Sequence, residues 1–456
     1  MSFALLALLC GLAQAADDKN PFVAAEAMLA PIPETPEHIA KSEEALAVWT
    51  EMVEQLETHR EADHDHKAFC FYKELKAFAH EKAEDIDARS AVRLGKANTC
   101  STHTSVGGEK HGKGSKSTGQ RLEGVKHAGA TVTVYYGTDR NVVGEGKNRY
   151  GGGARCKPSA TGGDPSCLEL GELVINIPDV HKIGHLEDEL PGFWGSDPDP
   201  AQDLYMVSLE KLSAADWSAK LKTAVGSTGG SIFVFIHGYN NSFDDAARRA
   251  GQMAYDLRFD GVPLIYSWGS AGTLRGYWSD EKAVESAVPQ LAAFLKKAGG
   301  SGAKSIHILA HSMGNRAIAG VVRDFSTDPA FASLNIASIT LAAPDIDAEI
   351  FKNEIAPKLA SVSKNVALYV SEHDQSLKAS RMLHQAESPR LGEGPIVIDG
   401  VQTIDVTSAS ATDSLGHSYY GSVPSLIKDI DKFWHGTAPA SRSWLTQTSG
   451  YWVLGQ

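Results

Sequence analysis

The sequence predicts an α/β protein with a mainly parallel sheet wrapped by helices and with an N-terminal helical region. From Thr131 onwards, short apolar, partly β-branched runs alternate with runs of helical spacing. One of these predicted strands also ends in a tight turn around Ser312 that leads straight into a helix. Alternating strands and helices favour a parallel sheet, and functional sites in such sheets lie at the carboxyl ends of the strands.

Length and composition fit a globular protein. The 456 residues are 42% hydrophobic and 22% charged, which allows one large domain and an accessory region. The net charge of -13 argues against nucleic acid or an anionic membrane as a general partner. Beyond the first residues, no apolar run is long enough for a transmembrane segment.

The first residues resemble an export signal. An apolar stretch from Phe3 to Ala15 closes with the small-x-small pattern that signal peptidase cleaves, so residues 1–15 are interpreted as a signal peptide. Export predicts a periplasmic or secreted protein in an oxidising compartment.

Removal of the signal leaves an even number of cysteines, which in an oxidising compartment favours disulfides. Three pairings are possible, and we expect nearest neighbours to pair, Cys70 with Cys100 and Cys156 with Cys167. Free, partly buried thiols are the alternative. A zinc site is disfavoured because no Cys-x-x-Cys spacing occurs.

Four regions follow the signal peptide. Residues 35–100 predict a helical hairpin, and residues 101–127, rich in Gly, Ser, Lys and His, predict a flexible linker. Residues 128–436 carry the alternating pattern, and residues 437–456 are interpreted as a C-terminal tail. The predicted strands of the alternating region are Thr131 to Tyr136, Glu172 to Ile177, Ser231 to Ile236, Pro263 to Trp268, Ser305 to Ala310, Ile336 to Ala342, Val366 to Val370 and Gln402 to Val406. The predicted helices are Asp244 to Arg258, Glu281 to Lys297, the helix after Ser312, and Pro424 to Phe433.

The turn around Ser312 has the pattern of a nucleophile elbow, in which a serine at positive φ between strand and helix exposes its Oγ above the sheet. Little room is left for side chains two residues to either side. Gly314 meets that demand, whereas Ala310 stands where glycine is commoner. The alternative is that Ser312 merely caps the helix.

A serine nucleophile needs a base and an orienting acid. Asp374 follows a predicted strand and His417 lies in a late polar loop, so Ser312, Asp374 and His417 have the nucleophile-acid-base chain order of known hydrolases. Rival acids are Asp345 and Asp347, which follow the preceding strand and could instead cap a helix.

The rival base is His384, whose neighbours have a helical pattern that favours a surface or packing role. Donors for the oxyanion are expected from the backbone N–H groups of Tyr239, after the turn at Gly238, and of Met313, next to the nucleophile. Side chains that could line an acyl pocket are Tyr239, Trp268, Tyr277, Trp278 and Met313, each with a packing role as the alternative.

Several motifs occur in one order along the chain: Val132 to Arg140, Phe235 to Asn240, Tyr266 to Trp268, the elbow, Leu341 to Asp345 and Gly416 to Ser418. Together they resemble a bacterial α/β-hydrolase family of esterase- and lipase-like proteins long labelled as of unknown function. The resemblance spans roughly Thr131 to Phe433. It implies an α/β-hydrolase fold and a serine hydrolase of esterase or lipase type, with Ser312 as nucleophile, His417 as base and Asp374 as acid.

We therefore expect hydrolysis of a small-molecule ester or lipid-like substrate through an acyl-enzyme, with no metal or organic cofactor. Amide or thioester hydrolysis and transacylation would use the same residues. An inactive envelope binding protein on the same scaffold is an alternative of another class.

Overall fold

The computed structural model describes residues 130–154, 167–187, 198–272, 276–384, 386–409 and 417–455. The predicted signal peptide, helical hairpin and linker lie outside these residues. Cys167 is fully buried, while Cys70, Cys100 and Cys156 lie outside the described residues, so both disulfide pairings stay predictions.

Strands and helices alternate as the sequence predicts. The strands are β1 (Ala130–Thr138), β2 (Arg140–Val142), β3 (Tyr150–Ala154), β4 (Glu169–Ile177), β5 (Tyr205–Leu212), β6 (Ser231–Ile236), β7 (Gly261–Ser267), β8 (Ser305–His311), β9 (Ile336–Ala342), β10 (Val366–Val370), β11 (Val401–Asp405), β12 (Leu445–Gln447) and β13 (Trp452–Leu454). The helices are α1 (Ala214–Gly226), α2 (Phe243–Asp256), α3 (Tyr277–Ser286), α4 (Val288–Gly299), α5 (Gly314–Phe325), α6 (Pro329–Ala332), α7 (Ala348–Ile350), α8 (Ala356–Val362), α9 (Gln375–Leu383), α10 (Tyr419–Ser422) and α11 (Pro424–Trp434). A π-helical turn, Phe351–Ile355, joins α7 to α8, and short 3₁₀ turns are formed by Gly146–Asn148 and Pro439–Ser441.

Within the described ranges, 11 strands form one sheet in the order β12-β13-β11-β10-β9-β8-β6-β7-β1-β4-β5. Neighbours from β1 through β7, β6, β8, β9, β10 and β11 to β13 are parallel. The pairs at both ends, β1 with β4, β4 with β5, and β12 with β13, are antiparallel. The sheet is therefore mainly parallel, as predicted.

Both faces of the sheet are covered, as the central strand β6 shows. In β6, Ile232 and Val234 join a core cluster on one face, and Phe233 and Phe235 join the cluster on the other. This two-sided burial explains why the strand is a continuous apolar run. In the part of the chain that the structure describes, no helix is both long and apolar enough for a bilayer span.

Some elements differ from the sequence prediction. The helix predicted from Glu281 to Lys297 is two helices, α3 and α4, that meet at Ala287, where Pro289 occupies the first turn of α4. Proline fits a first helical turn but interrupts a continuing helix, which explains the break. The hairpin of β2 and β3 and the edge strand β5 were not predicted.

The segment interpreted as a tail contributes β12 and β13 to the sheet. It is anchored by Asp429 of α11, whose fully buried carboxylate accepts hydrogen bonds from Arg442 Nη1 at 2.8 Å, Trp444 Nε1 at 2.7 Å and Tyr369 Oη at 2.8 Å. Removal of one of these donors would leave the buried carboxylate less well compensated, which is destabilising.

Candidate active site

The candidate site lies where the strand order reverses. The chain passes from β6 to β7 on one side of β6 and later returns to β8 on its other side, so the loops after β6 and β8 leave the sheet side by side. In register, Ile236 at the end of β6 is paired with Ala310 near the end of β8. Such switch points open a crevice at the carboxyl ends of the strands.

The turn after β8 has the backbone of an elbow. Ser312 has a φ of 52°, a left-handed conformation that is uncommon outside glycine. Its N–H donates to Ala342 O at 3.0 Å, and its carbonyl accepts the N–H groups of Asn315 at 3.1 Å and Asp345 at 3.2 Å. The surrounding backbone therefore holds a conformation that costs about 1–3 kcal/mol in isolation.

Small residues let the loop after β6 pass directly against this elbow. A Cβ on Gly314 would lie 2.3 Å from His237 O, and a Cβ on Gly238 would lie 2.8 Å from the Ser312 Cβ. Only glycine fits at either position without a shift. Ala310 is fully buried in β8, and the turn adopts positive φ with alanine there.

The predicted acid and base are paired. Asp374 follows β10 and is fully buried, and its Oδ2 lies 2.7 Å from Nδ1 of His417. The other carboxylate oxygen accepts the Leu377 N–H at 3.0 Å, so Asp374 also caps α9. Because an ionised carboxylate only accepts, this geometry places a proton on Nδ1 of His417 and leaves Nε2 as the basic atom.

His417 is held beside the elbow by His311, the residue before Ser312. Nε2–H of His311 donates to the His417 carbonyl at 3.1 Å, and the two ring centroids are 4.7 Å apart. Burial, and then the charge of His417, keep the pKa of His311 well below its usual range, so His311 is neutral. The described residues thus bring Ser312, Asp374 and His417 to one region of the sheet edge.

The rival acids have other partners. Asp345 accepts hydrogen bonds from Tyr277 at 2.9 Å and Ser380 at 2.5 Å and forms ion pairs with Arg316 at 3.2 Å and Arg390 at 3.3 Å. Burial opposes ionisation, but Arg316 and Arg390 outweigh it and lower the pKa of Asp345 to about 2. This carboxylate is committed to a buried charge cluster.

Asp347 caps α7, accepting the N–H groups of Glu349 at 2.9 Å and Ile350 at 3.1 Å. The rival base, His384, pairs through Nε2 with Glu281 at 2.7 Å and through Nδ1 with the Ser380 carbonyl at 2.7 Å. Both ring nitrogens of His384 are therefore engaged away from Asp374.

The two expected oxyanion donors lie on the two adjoining loops. Met313 directly follows the elbow serine and precedes α5, and Tyr239 lies between Gly238 and Asn240, which has a φ of 53°. The side chain of Met313 is fully buried in the core. Tyr239 packs edge-on against Tyr277, with ring centroids 5.3 Å apart.

Two of the side chains considered for an acyl pocket, Trp268 and Met313, are instead buried in the core next to the site. Trp268 is fully buried, stacks on His237 with centroids 4.9 Å apart and donates Nε1–H to the His237 carbonyl at 2.8 Å. Met313 is equally buried. Tyr239, Tyr277 and Trp278 are only partly buried and remain candidates for contact with substrate.

Sequence reasoning missed Arg140. It ends the first of the quoted motifs, but nothing local distinguishes it from a surface arginine. In the structure it is buried and hydrogen-bonded to His237 and Asn241, about one hundred residues along the chain. Among the described residues, no group of three or more His, Cys, Asp or Glu side chains could hold a metal ion.

Comparison with known proteins identifies the domain. Residues 213–432 match the family described as "Alpha/beta hydrolase of unknown function (DUF900)". Among solved structures, the chain is similar to the esterase Pf2001 of Pyrococcus furiosus, with 11% sequence identity and a TM-score of 0.29 over 51% of this chain and 86% of the esterase. No curated protein gives a significant match. The segment from residue 213 to residue 432 is therefore an α/β-hydrolase domain that matches this family of unknown function, which confirms the predicted fold class and the resemblance.

Proposed function

We propose that the protein is an exported serine hydrolase that cleaves carboxylic esters through Ser312, His417 and Asp374. The observation that carries the proposal is the 2.7 Å pair of Asp374 and His417, with His417 tethered to His311 directly before the elbow serine. This pairing leaves Nε2 of His417 as the base, as a serine nucleophile requires.

In the proposed reaction, His417 accepts the Ser312 proton as Oγ attacks the ester carbonyl carbon. The backbone N–H groups of Tyr239 and Met313 stabilise the oxyanion of the tetrahedral intermediate. His417 then donates its proton to the leaving alcohol, which yields an acyl-enzyme on Ser312. Water, activated by the same imidazole, hydrolyses the acyl-enzyme and restores the serine.

Asp374 keeps the imidazole oriented and stabilises its protonated form during both steps. Because Asp374 is fully buried and also accepts the Leu377 N–H, its carboxylate cannot rotate away without losing that bond. The partly buried aromatic rings of Tyr239, Tyr277 and Trp278 favour a small or lipid-like ester with an apolar acyl group.

The test is covalent labelling by a fluorophosphonate probe, followed by mass spectrometry of the labelled peptide. Wild-type protein should be labelled on Ser312, and Ser312→Ala should show no labelling and only background hydrolysis of p-nitrophenyl esters. Ser326→Ala is the matched control, because Ser326 is equally buried at the other end of α5. Folded wild type that is neither labelled nor active would exclude a serine hydrolase.

A substrate panel separates the related reactions. We expect p-nitrophenyl esters of short and medium acyl chains to be cleaved faster than the matched anilides and thioesters. A higher kcat/KM for an anilide or thioester would replace the esterase assignment by that activity, with the same triad.

Export is proposed from the sequence of residues 1–15. The N-terminus of the protein recovered from the periplasm or the medium should be Ala16. An uncleaved chain confined to the cytoplasm of a secreting host would exclude it.

A further inference from the structure

Arg140 is a buried arginine for which the proposed reaction has no role. It begins β2 next to the sheet edge that holds the candidate site, and only 1% of it is exposed. Burial of a guanidinium is costly unless its five N–H groups have acceptors. The positions of those acceptors therefore indicate what this side chain does.

Two of the acceptors lie on the loop after β6. Nη2 of Arg140 donates to Asn241 O at 2.6 Å and to Nε2 of His237 at 3.2 Å, so one nitrogen contacts both ends of the segment that contains Tyr239. The other two nitrogens of the guanidinium bind β7, the loop after it, and β3. Nε donates to Ser267 Oγ at 2.8 Å, and Nη1 donates to Ser270 O at 2.8 Å and to Gly151 O at 3.4 Å.

The histidine at the start of this loop is fixed in one neutral tautomer. Because Nε2 of His237 accepts from Arg140, its proton lies on Nδ1, which donates to Gly238 O at 2.8 Å. Burial, and then the charge of Arg140, lower the pKa of His237 to about 3, so the tautomer persists at neutral pH. Burial also lowers the pKa of Arg140 to about 10, and the guanidinium stays charged.

We propose that Arg140 is a positioning residue that sets the direction of the Tyr239 N–H, because its planar guanidinium holds His237 and Asn241 on either side of Tyr239 in fixed positions. The inference rests on the proposed function, in which that N–H stabilises the oxyanion. A misdirected donor stabilises the transition state less while hardly changing ground-state binding, so the effect should fall on kcat.

Lysine cannot take over this role completely. Its ammonium keeps the charge but acts as a point donor, whereas the five acceptors surround a planar group whose N–H directions are fixed. Arg140→Lys should therefore retain part of the bracing, and Arg140→Met none.

The experiment compares Arg140→Met and Arg140→Lys in the full chain, with Arg149→Met as the matched control. Arg149 precedes β3 in the same hairpin but pairs with Glu169 at 3.1 Å, away from the loop after β6. The measurements are kcat and KM for a p-nitrophenyl ester, amide hydrogen exchange of residues 236–242, and the pKa of His237 by NMR.

For Arg140→Met we expect kcat to fall about 10²-fold with KM within threefold of wild type, since a donor misplaced by about 1 Å costs that much. Exchange over residues 236–242 should be at least about tenfold faster, because the opening of a segment with fewer hydrogen bonds costs less. The pKa of His237 should rise. Arg140→Lys should give intermediate values, and Arg149→Met should match wild type in all three measurements.

Unchanged exchange in Arg140→Met, or equal effects in Arg149→Met, would overturn the proposal. If Arg140→Met does not fold, the same comparison with Arg140→Lys decides. If wild type itself lacks hydrolase activity, the proposed function fails, while exchange and the pKa of His237 still decide whether Arg140 holds the loop.

Discussion

If the proposed function holds, replacement of Asp374 by asparagine should lower kcat about 10⁴-fold, the loss that the same change causes in an established Ser-His-Asp protease. Oδ1 of Asp374 accepts the Leu377 N–H at 3.0 Å, and Oδ2 faces Nδ1 of His417 at 2.7 Å. In the variant, the amide oxygen stays with the Leu377 N–H, and the NH₂ group turns toward His417. Because NH₂ only donates, it selects the tautomer with its proton on Nε2, which cannot accept the Ser312 proton. The loss corresponds to about 5 kcal/mol of transition-state stabilisation.

The assay measures kcat for a p-nitrophenyl ester from pH 7 to pH 9, together with the second-order rate of fluorophosphonate labelling. Labelling reports the reactivity of Ser312 without a contribution from deacylation. Asp347→Asn is the matched control, because asparagine caps a helix as well as aspartate does. An Asp374→Asn variant within tenfold of the wild-type rate would refute the reasoning.

For the rival acid, Asp345, we expect the opposite: asparagine should lower stability and leave kcat nearly unchanged. Asp345→Asn should cost about 3–5 kcal/mol of stability, because buried Arg390 would lose its carboxylate partner and Arg316 would keep only Glu281. Its folded fraction should keep kcat within tenfold of wild type. Loss of kcat in Asp345→Asn at unchanged thermal stability would instead make Asp345 the orienting acid.

Two other perturbations follow from the structure. Gly238→Ala would bring a Cβ within 2.8 Å of the Ser312 Cβ, so kcat should fall at least about tenfold. Gly226→Ala is the control and should keep the wild-type kcat, because its Cβ would meet nothing within 4 Å. Equal kcat values for the two variants would contradict the close approach of Gly238 to Ser312. Burial lowers the pKa of His181, but hydrogen bonds to Asp256 and Glu187 outweigh it and raise the pKa to about 9. Its stabilisation is full below about pH 6.5 and is lost as pH rises through 9, by about 3 kcal/mol. Urea unfolding at pH 6.5 and 9.5 should show this loss in wild type and not in His181→Gln, and equal pH slopes would exclude it.

The sequence predicted those parts of the site that depend on local pattern. An elbow needs a buried strand before the serine and a small residue two positions after it. Ser312 follows an apolar run and precedes Gly314 by two positions, so both requirements are visible within a few residues of the sequence. Asp374 and His417 could be selected because each follows a predicted strand in the expected chain order. Their contact in space was an inference from the parallel sheet, which brings the ends of strands together.

The parts that escaped prediction depend on contacts between distant residues or on short polar strands. Arg140 has no local signal, since its acceptors on His237 and Asn241 become neighbours only when β1 and β6 enter one sheet. Strand β12 contains Thr446 and Gln447, which give no apolar alternation over three residues. Such strands are fixed by pairing with neighbours rather than by their own composition.

The anchoring of the last strands on Asp429 has a practical consequence for shortened versions of the chain. A protein that stopped at residue 436 would retain Ser312, Asp374 and His417, but Asp429 would lose Arg442 and Trp444 and keep a desolvated negative charge. The backbone of β11 that pairs with β13 would also become an unpaired edge, which can recruit strands from other molecules. Aggregation of such a fragment would therefore reflect the unpaired edge of β11 and not a defect in the candidate active site.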